Sequence, residues 1–108
     1  MSLQITTIHN KLVRDGITKQ LQDKGIKYST TRINGEDKIK ALEKKVLEEF
    51  DEYLENRDVN ELADLMEVIY GLARALGTYE FELNKIRLDK RVTLGGFEEG
   101  IFLKETIE

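Results

Sequence analysis

An all-α helical bundle, with three long helices and one shorter N-terminal helix, is the fold class that the sequence predicts. Apolar residues recur at 3-4 spacing through three long segments. Glycines and short polar turns close those segments. The 108 residues are 35% charged and 40% apolar with no proline, the composition of one helix-rich domain spanning 1–108.

The first helix is predicted from Asn10 to about Lys24, with Leu12, Val13, Ile17 and Leu21 on one face and Gly25 as its stop. Residues 26–33 alternate loosely and are β-branched, which predicts a short strand or an extended arm. Asn34-Gly35 marks a turn. A long helix follows from Glu36 to Asn56, and a second from Val59 to Leu76, stopped by Gly77. A third starts near Thr78 and fades before Gly95-Gly96. The tail from Phe97 carries an apolar patch at Ile101, Phe102 and Leu103. The helix at 59–76 is apolar on more faces than three partners of this length can cover. A homodimer or a dimer of dimers is therefore expected.

Composition excludes several function classes. With no cysteine there is no disulfide framework, thiolate nucleophile or Cys-ligated zinc. His9 is the only histidine, so neither a His-metal site nor a catalytic triad can be assembled. No apolar run spans a bilayer and no signal-peptide pattern opens the chain, so a cytoplasmic protein is expected. Seventeen basic against 21 acidic residues argue against general nucleic-acid binding. No glycine-rich phosphate loop is present.

The charge is unevenly spread. Residues 1–45 hold ten bases and five acids, and residues 46–82 hold eleven acids and two bases. That block is either a solvated acidic helix pair or a carboxylate cluster for a divalent cation, and position decides between them. In the first long helix Ile39, Leu42, Val46 and Tyr53 form one stripe, and its missing slot is filled by Glu49. Glu52 lies roughly 60° around the helix from Glu49, whereas Glu48 lies about 100° away on the other side of Glu52. In the next helix Leu62, Leu65, Met66, Ile69, Ala73 and Leu76 form one stripe. A second seam reads Glu61, Asp64, Val68, Leu72 and Ala75.

If the two helices pack antiparallel through a turn near Asp58, Glu49, Glu52, Glu61 and Asp64 converge at one end. Four such charges together cost several kcal/mol without a cation. Oxygen-only donors point to Mg²⁺, with Mn²⁺ as the alternative. Asp58 and Glu61 also match a capping box, which would make Glu61 a helix-end residue instead.

The run Glu49-Phe-Asp-Glu52, then Glu61-Leu-Ala-Asp64, resembles the MazG-like all-α nucleoside triphosphate pyrophosphatases. The wider chain resembles one branch of that superfamily, predicted house-cleaning pyrophosphatases related to phosphoribosyl-ATP pyrophosphohydrolase. Asn10-Lys11-Leu12-Val13-Arg14-Asp15 is similar to that branch's opening, and Gly95-Gly96-Phe97-Glu98-Glu99-Gly100-Ile101-Phe102 to its close. Gly16 and Thr18 stand where the branch carries a Lys and a Pro, and Leu94 where it carries a basic residue.

The resemblance implies Mg²⁺-dependent hydrolysis of a nucleoside triphosphate to the monophosphate and pyrophosphate. The implied ligands are Glu49, Glu52, Glu61 and Asp64. Glu48 and Glu49 are the expected catalytic acids, with Glu48 taking a proton from the attacking water. Lys11, Arg14, Arg87, Lys90 and Arg91 are the expected contacts to the substrate's phosphates, and each also reads as a solvated surface charge. Phe97 reads as a packing anchor or as a cover for a base. Two rivals stand beside this reading. One is phosphoribosyl-ATP as substrate, and the other is a non-catalytic helical module that binds a nucleotide or a partner.

Overall fold

The computed structural model describes residues 3–108 and is all-helical, with no strand among them. Helix α1 spans Ile17–Asp23, α2 Gly35–Asn56, α3 Val59–Ala75 and α4 Glu80–Leu94. The three long helices stand within two residues of the expected bounds.

The first helix is shorter than its apolar spacing suggests. Residues 10–16 are not helical, and α1 starts only after Gly16, where Ile17 N donates to Arg14 O. A helix from Asn10 would carry Gly16 in its interior, at a cost of about 1 kcal/mol relative to Ala. It would also have no packing partner to offset that cost. Residues 26–34 run without a strand partner, so the extended arm and not the strand is present.

Two helix ends use glycine for its left-handed backbone. At Gly25 (φ +69°) Ile26 N donates to Leu21 O, and at Gly77 (φ +96°) Thr78 N donates to Ala73 O. Each is a 6→1 closure that satisfies carbonyls the helix leaves free. The α2–α3 turn uses no glycine. Arg57 takes φ +48° and donates to Tyr53 O, and Asp58 caps α3 by accepting from Asn60 N at 2.9 Å.

Helices α2 and α3 therefore form a tight antiparallel hairpin, and this is the main packing of the molecule. The α2 stripe faces α3 as expected: Leu42 and Glu49 are buried, and Ile39, Val46 and Tyr53 half-buried. Gly71 lets the helices approach closely, since a Cβ there would stand 3.3 Å from Leu42 Cδ2.

The face that α3 turns toward α2 is the seam carrying the acids. Val68 is buried, and Glu61, Asp64, Leu72 and Ala75 are half-buried. The other stripe lies mostly open, with Leu62, Met66, Ile69 and Leu76 all exposed. Helix α4 meets α3 near the α3 C-terminus, where Asn84 Nδ2 donates to Tyr70 Oη at 3.2 Å and Arg74 pairs with Glu80. It diverges from there. The chain is elongated, 73 × 31 × 25 Å, with a radius of gyration of 19.1 Å. A compact domain of this length would have about 13 Å.

Candidate metal centre

The hairpin turn sets the site. Because only Arg57 and Asp58 separate α2 from α3, the last turns of one helix stand beside the first turns of the other. Glu49, Glu61 and Asp64 each place a carboxylate oxygen so that all three lie within 4.8 Å of one another. Glu61 and Asp64 are half-buried, and Glu49 is 8% exposed.

The two oxygens of Glu49 have different surroundings. Oε1 is 3.5 Å from Lys45 Nζ, which lies equally far from Glu48 Oε2. Oε2 is buried with no hydrogen-bond partner. An unpaired buried anionic oxygen is costly, and it is the feature most in need of a ligand here. Oxygens on opposite sides of a Mg²⁺ ion stand about 4.2 Å apart. Oxygens at right angles stand about 3.0 Å apart, so the three carboxylates would have to draw together to ligate one cation. The donor set is oxygen only, which suits Mg²⁺ or Mn²⁺ better than zinc or copper.

Glu52 borders this group without belonging to it. Its side chain is exposed, yet its pKa is raised above the ordinary 4.5. The charge of Glu49 is the main cause, followed by desolvation and the charge of Glu61, while Lys45 acts in the opposite direction. The sign for stability follows by linkage. The folded chain holds the Glu52 proton more firmly than the unfolded chain does. Metal-free stability therefore falls as pH rises from about 4.5 through the raised folded value. Urea midpoints measured in EDTA across this range should show that decline, and Glu52→Gln should flatten it. An identical slope in the variant would show that the repulsion lies elsewhere.

The remaining expected residues divide into those that reach the site and those that do not. Arg14 reaches it, donating from Nη2 to Asp64 Oδ1 at 2.8 Å across 50 residues of sequence. Glu48 lies next to the site but is held by Lys45. The side chain of Glu61 accepts from Asn56 Nδ2 at 3.2 Å, so Asp58 caps α3 while Glu61 faces the cluster.

Lys11 is exposed, and no hydrogen bond or ion pair links it to the acids among the described residues. Arg87, Lys90 and Arg91 lie on α4, lining an open groove with Leu94, Gly95, Gly96 and Phe97. Arg87 Nε donates to Asn84 Oδ1 at 3.4 Å and Arg91 pairs with Glu98. No ion pair or hydrogen bond among the described residues brings these three to the acid cluster. Phe97 is fully exposed, so it anchors nothing within its own chain.

Two contributors were missed from the sequence. Lys45 was legible in principle, since it stands four residues before Glu49 and three before Glu48 on the same face. Asn56 ends α2 at an unremarkable position, and only the closed turn brings it to Glu61.

Among the described residues no helix is long and apolar enough to cross a membrane. No family model, curated protein or solved structure matches the chain.

Proposed function

We propose that this chain is a Mg²⁺-dependent nucleoside triphosphate pyrophosphohydrolase. The observation that carries the reading is Glu49 itself, which holds one buried, unpaired carboxylate oxygen and stands in one carboxylate group with Glu61 and Asp64. Three carboxylates would hold the ion and leave positions for water and a phosphate oxygen, as Mg²⁺ sites commonly do. When bound, Mg²⁺ supplies charge neutralisation at the scissile phosphate and a lowered pKa for the attacking water.

The chain's own residues have distinct tasks. Lys45 holds Oε1 of Glu49 and leaves Oε2 without a protein partner. Asn56 holds Glu61 by a hydrogen bond. Glu52 stands at the rim of the three-carboxylate group, and the raised pKa of its carboxyl marks the repulsion that a cation would relieve. Glu48, whose carboxylate lies 3.5 Å from Lys45 Nζ, would accept a proton from the attacking water and become a neutral carboxyl. Arg14 is the one expected phosphate contact standing at the carboxylates.

A homodimer or a dimer of dimers is part of the same proposal. The open stripe of α3 and the elongated shape support it, since the three buried apolar side chains among the described residues (Leu42, Val68 and Ala73) make a small core.

The test is pyrophosphate release from a panel of NTPs and dNTPs, in excess Mg²⁺ and in EDTA. The expected result is metal-dependent release with the monophosphate as co-product, lost in Asp64→Asn. Full activity in that variant would remove Asp64 from the site. Turnover of phosphoribosyl-ATP alone would move the substrate to that compound. No release from any member by the folded protein would favour the binding module.

A further inference from the structure

Outside the hairpin, the N-terminal segment is the part of the molecule whose attachment is least expected. Helix α1 packs against no other helix. Among the described residues, one side-chain hydrogen bond or ion pair ties residues 3–33 to the rest of the chain, and it is Arg14 to Asp64. Arg14 is half-exposed, and its carbonyl accepts from Ile17 N at the start of α1. The guanidinium is thus coupled through one turn of backbone to the placement of the whole arm.

Its partner is one of the three carboxylates that face one another at the turn. Arg14 and Lys45 are the two side-chain cations that contact the cluster and its neighbour Glu48, and they differ in kind. Lys45 lies on α2, largely enclosed, one turn from the residues it holds. Arg14 comes from a separate segment whose helix packs against no other.

We infer that Arg14 is an internal stand-in for the cation: it latches the N-terminal arm onto Asp64 when the site is metal-free and is displaced when a divalent ion takes the carboxylate. The inference rests on the metal-site reading above. A guanidinium and a divalent ion compete for the same negative charge at Asp64. By linkage, the closed arm weakens ion binding by the same factor that ion binding weakens arm closure. Once released, the arm loses its one side-chain tie to the hairpin and Arg14 is left without its carboxylate partner.

The experiment compares full-length wild type, Arg14→Gln and Arg14→Lys. Mn²⁺ affinity is read from the electron paramagnetic resonance signal of the free ion. Hydrogen exchange is followed at residues 11–23, with and without Mn²⁺. A latch predicts that Arg14→Gln binds Mn²⁺ about two- to fivefold more tightly, the scale of an exposed ion pair. Arg14→Lys, which keeps the charge, should stay near wild type. Mn²⁺ should speed exchange in the wild-type arm to the metal-free rate of Arg14→Gln and change little in that variant.

Weaker or unchanged Mn²⁺ binding by Arg14→Gln would overturn the latch, making Arg14 a support for Asp64 or a bystander. A wild-type arm whose exchange ignores Mn²⁺ would overturn it too. If no protein binds Mn²⁺, the metal site itself falls and the latch with it. That outcome is distinguishable, because the metal-free exchange rates would still report whether Arg14 holds the arm.

Discussion

Glu49→Gln is expected to abolish metal-dependent turnover and, at the same time, to raise the thermal midpoint of the metal-free protein. The two effects have one origin. Oε2 of Glu49 is buried without a partner, and a carboxylate oxygen of Glu49 lies within 4.8 Å of one from Glu61 and one from Asp64. Binding energy for a cation is therefore stored as repulsion in its absence. An amide of the same shape removes one charge from the cluster and supplies an N–H donor that Glu61 or Asp64 can accept.

Lys45 keeps Glu48 as a partner in that variant, so no cation is left stranded. The gain should be about 1 kcal/mol, which for a chain of this size is roughly 4–8 °C. The loss of activity should be at least about a hundredfold, the scale on which removing a preorganised charge acts. Calorimetry in EDTA and pyrophosphate release in Mg²⁺ measure the two halves separately. A fall in the midpoint would mean that Glu49 is a structural anion paired with Lys45, and that the orphaned oxygen has no functional meaning.

The hairpin and its acids were legible in the sequence because two periodic signals agreed there. Glu49 occupies a slot where the spacing of Leu42, Val46 and Tyr53 calls for an apolar residue, and the structure buries it in that slot. Glu61 and Asp64 head a seam that continues through Val68 and Leu72, and that seam faces α2. Spacing around a helix is a local property, so a single sequence carries it.

Choice between two apolar faces is not local. The stripe through Leu62, Met66 and Ile69 is as periodic as the seam through Val68 and Leu72, and only the register of the turn decides which one meets α2. The ion pair between Arg14 and Asp64 was illegible for the same reason, with 50 residues intervening and no pattern linking them. In the N-terminal segment periodicity misled. Leu12 and Val13 have helical spacing, but with Gly16 following and no helix to pack on, residues 10–16 stay unwound.

Met66→Glu is expected to break the proposed assembly into 12.5 kDa monomers. Met66 is 49% exposed in the single chain, at the middle of the open α3 stripe between Leu62 and Ile69. On an isolated chain a charge at that solvent-facing position would change stability by no more than about 0.5 kcal/mol. In a twofold assembly the same position lies at an interface and is counted twice, once in each copy. Met66 is already half-buried within the chain, so each copy would lose roughly half of the 1.5–3 kcal/mol of a fully buried methionine, and each would also bury an unpaired carboxylate.

Sedimentation separates these cases. Wild type should run at two or four times the chain mass, and Met66→Glu at the chain mass with a lower urea midpoint. The carboxylate cluster lies at the hairpin turn and is built entirely within one chain, so metal affinity should fall far less than assembly does. A wild-type protein that sediments as a stable monomer would reject the assembly. The open stripe would then have to be covered by α4 swinging back along α3 from the contact it already makes at Tyr70 and Asn84.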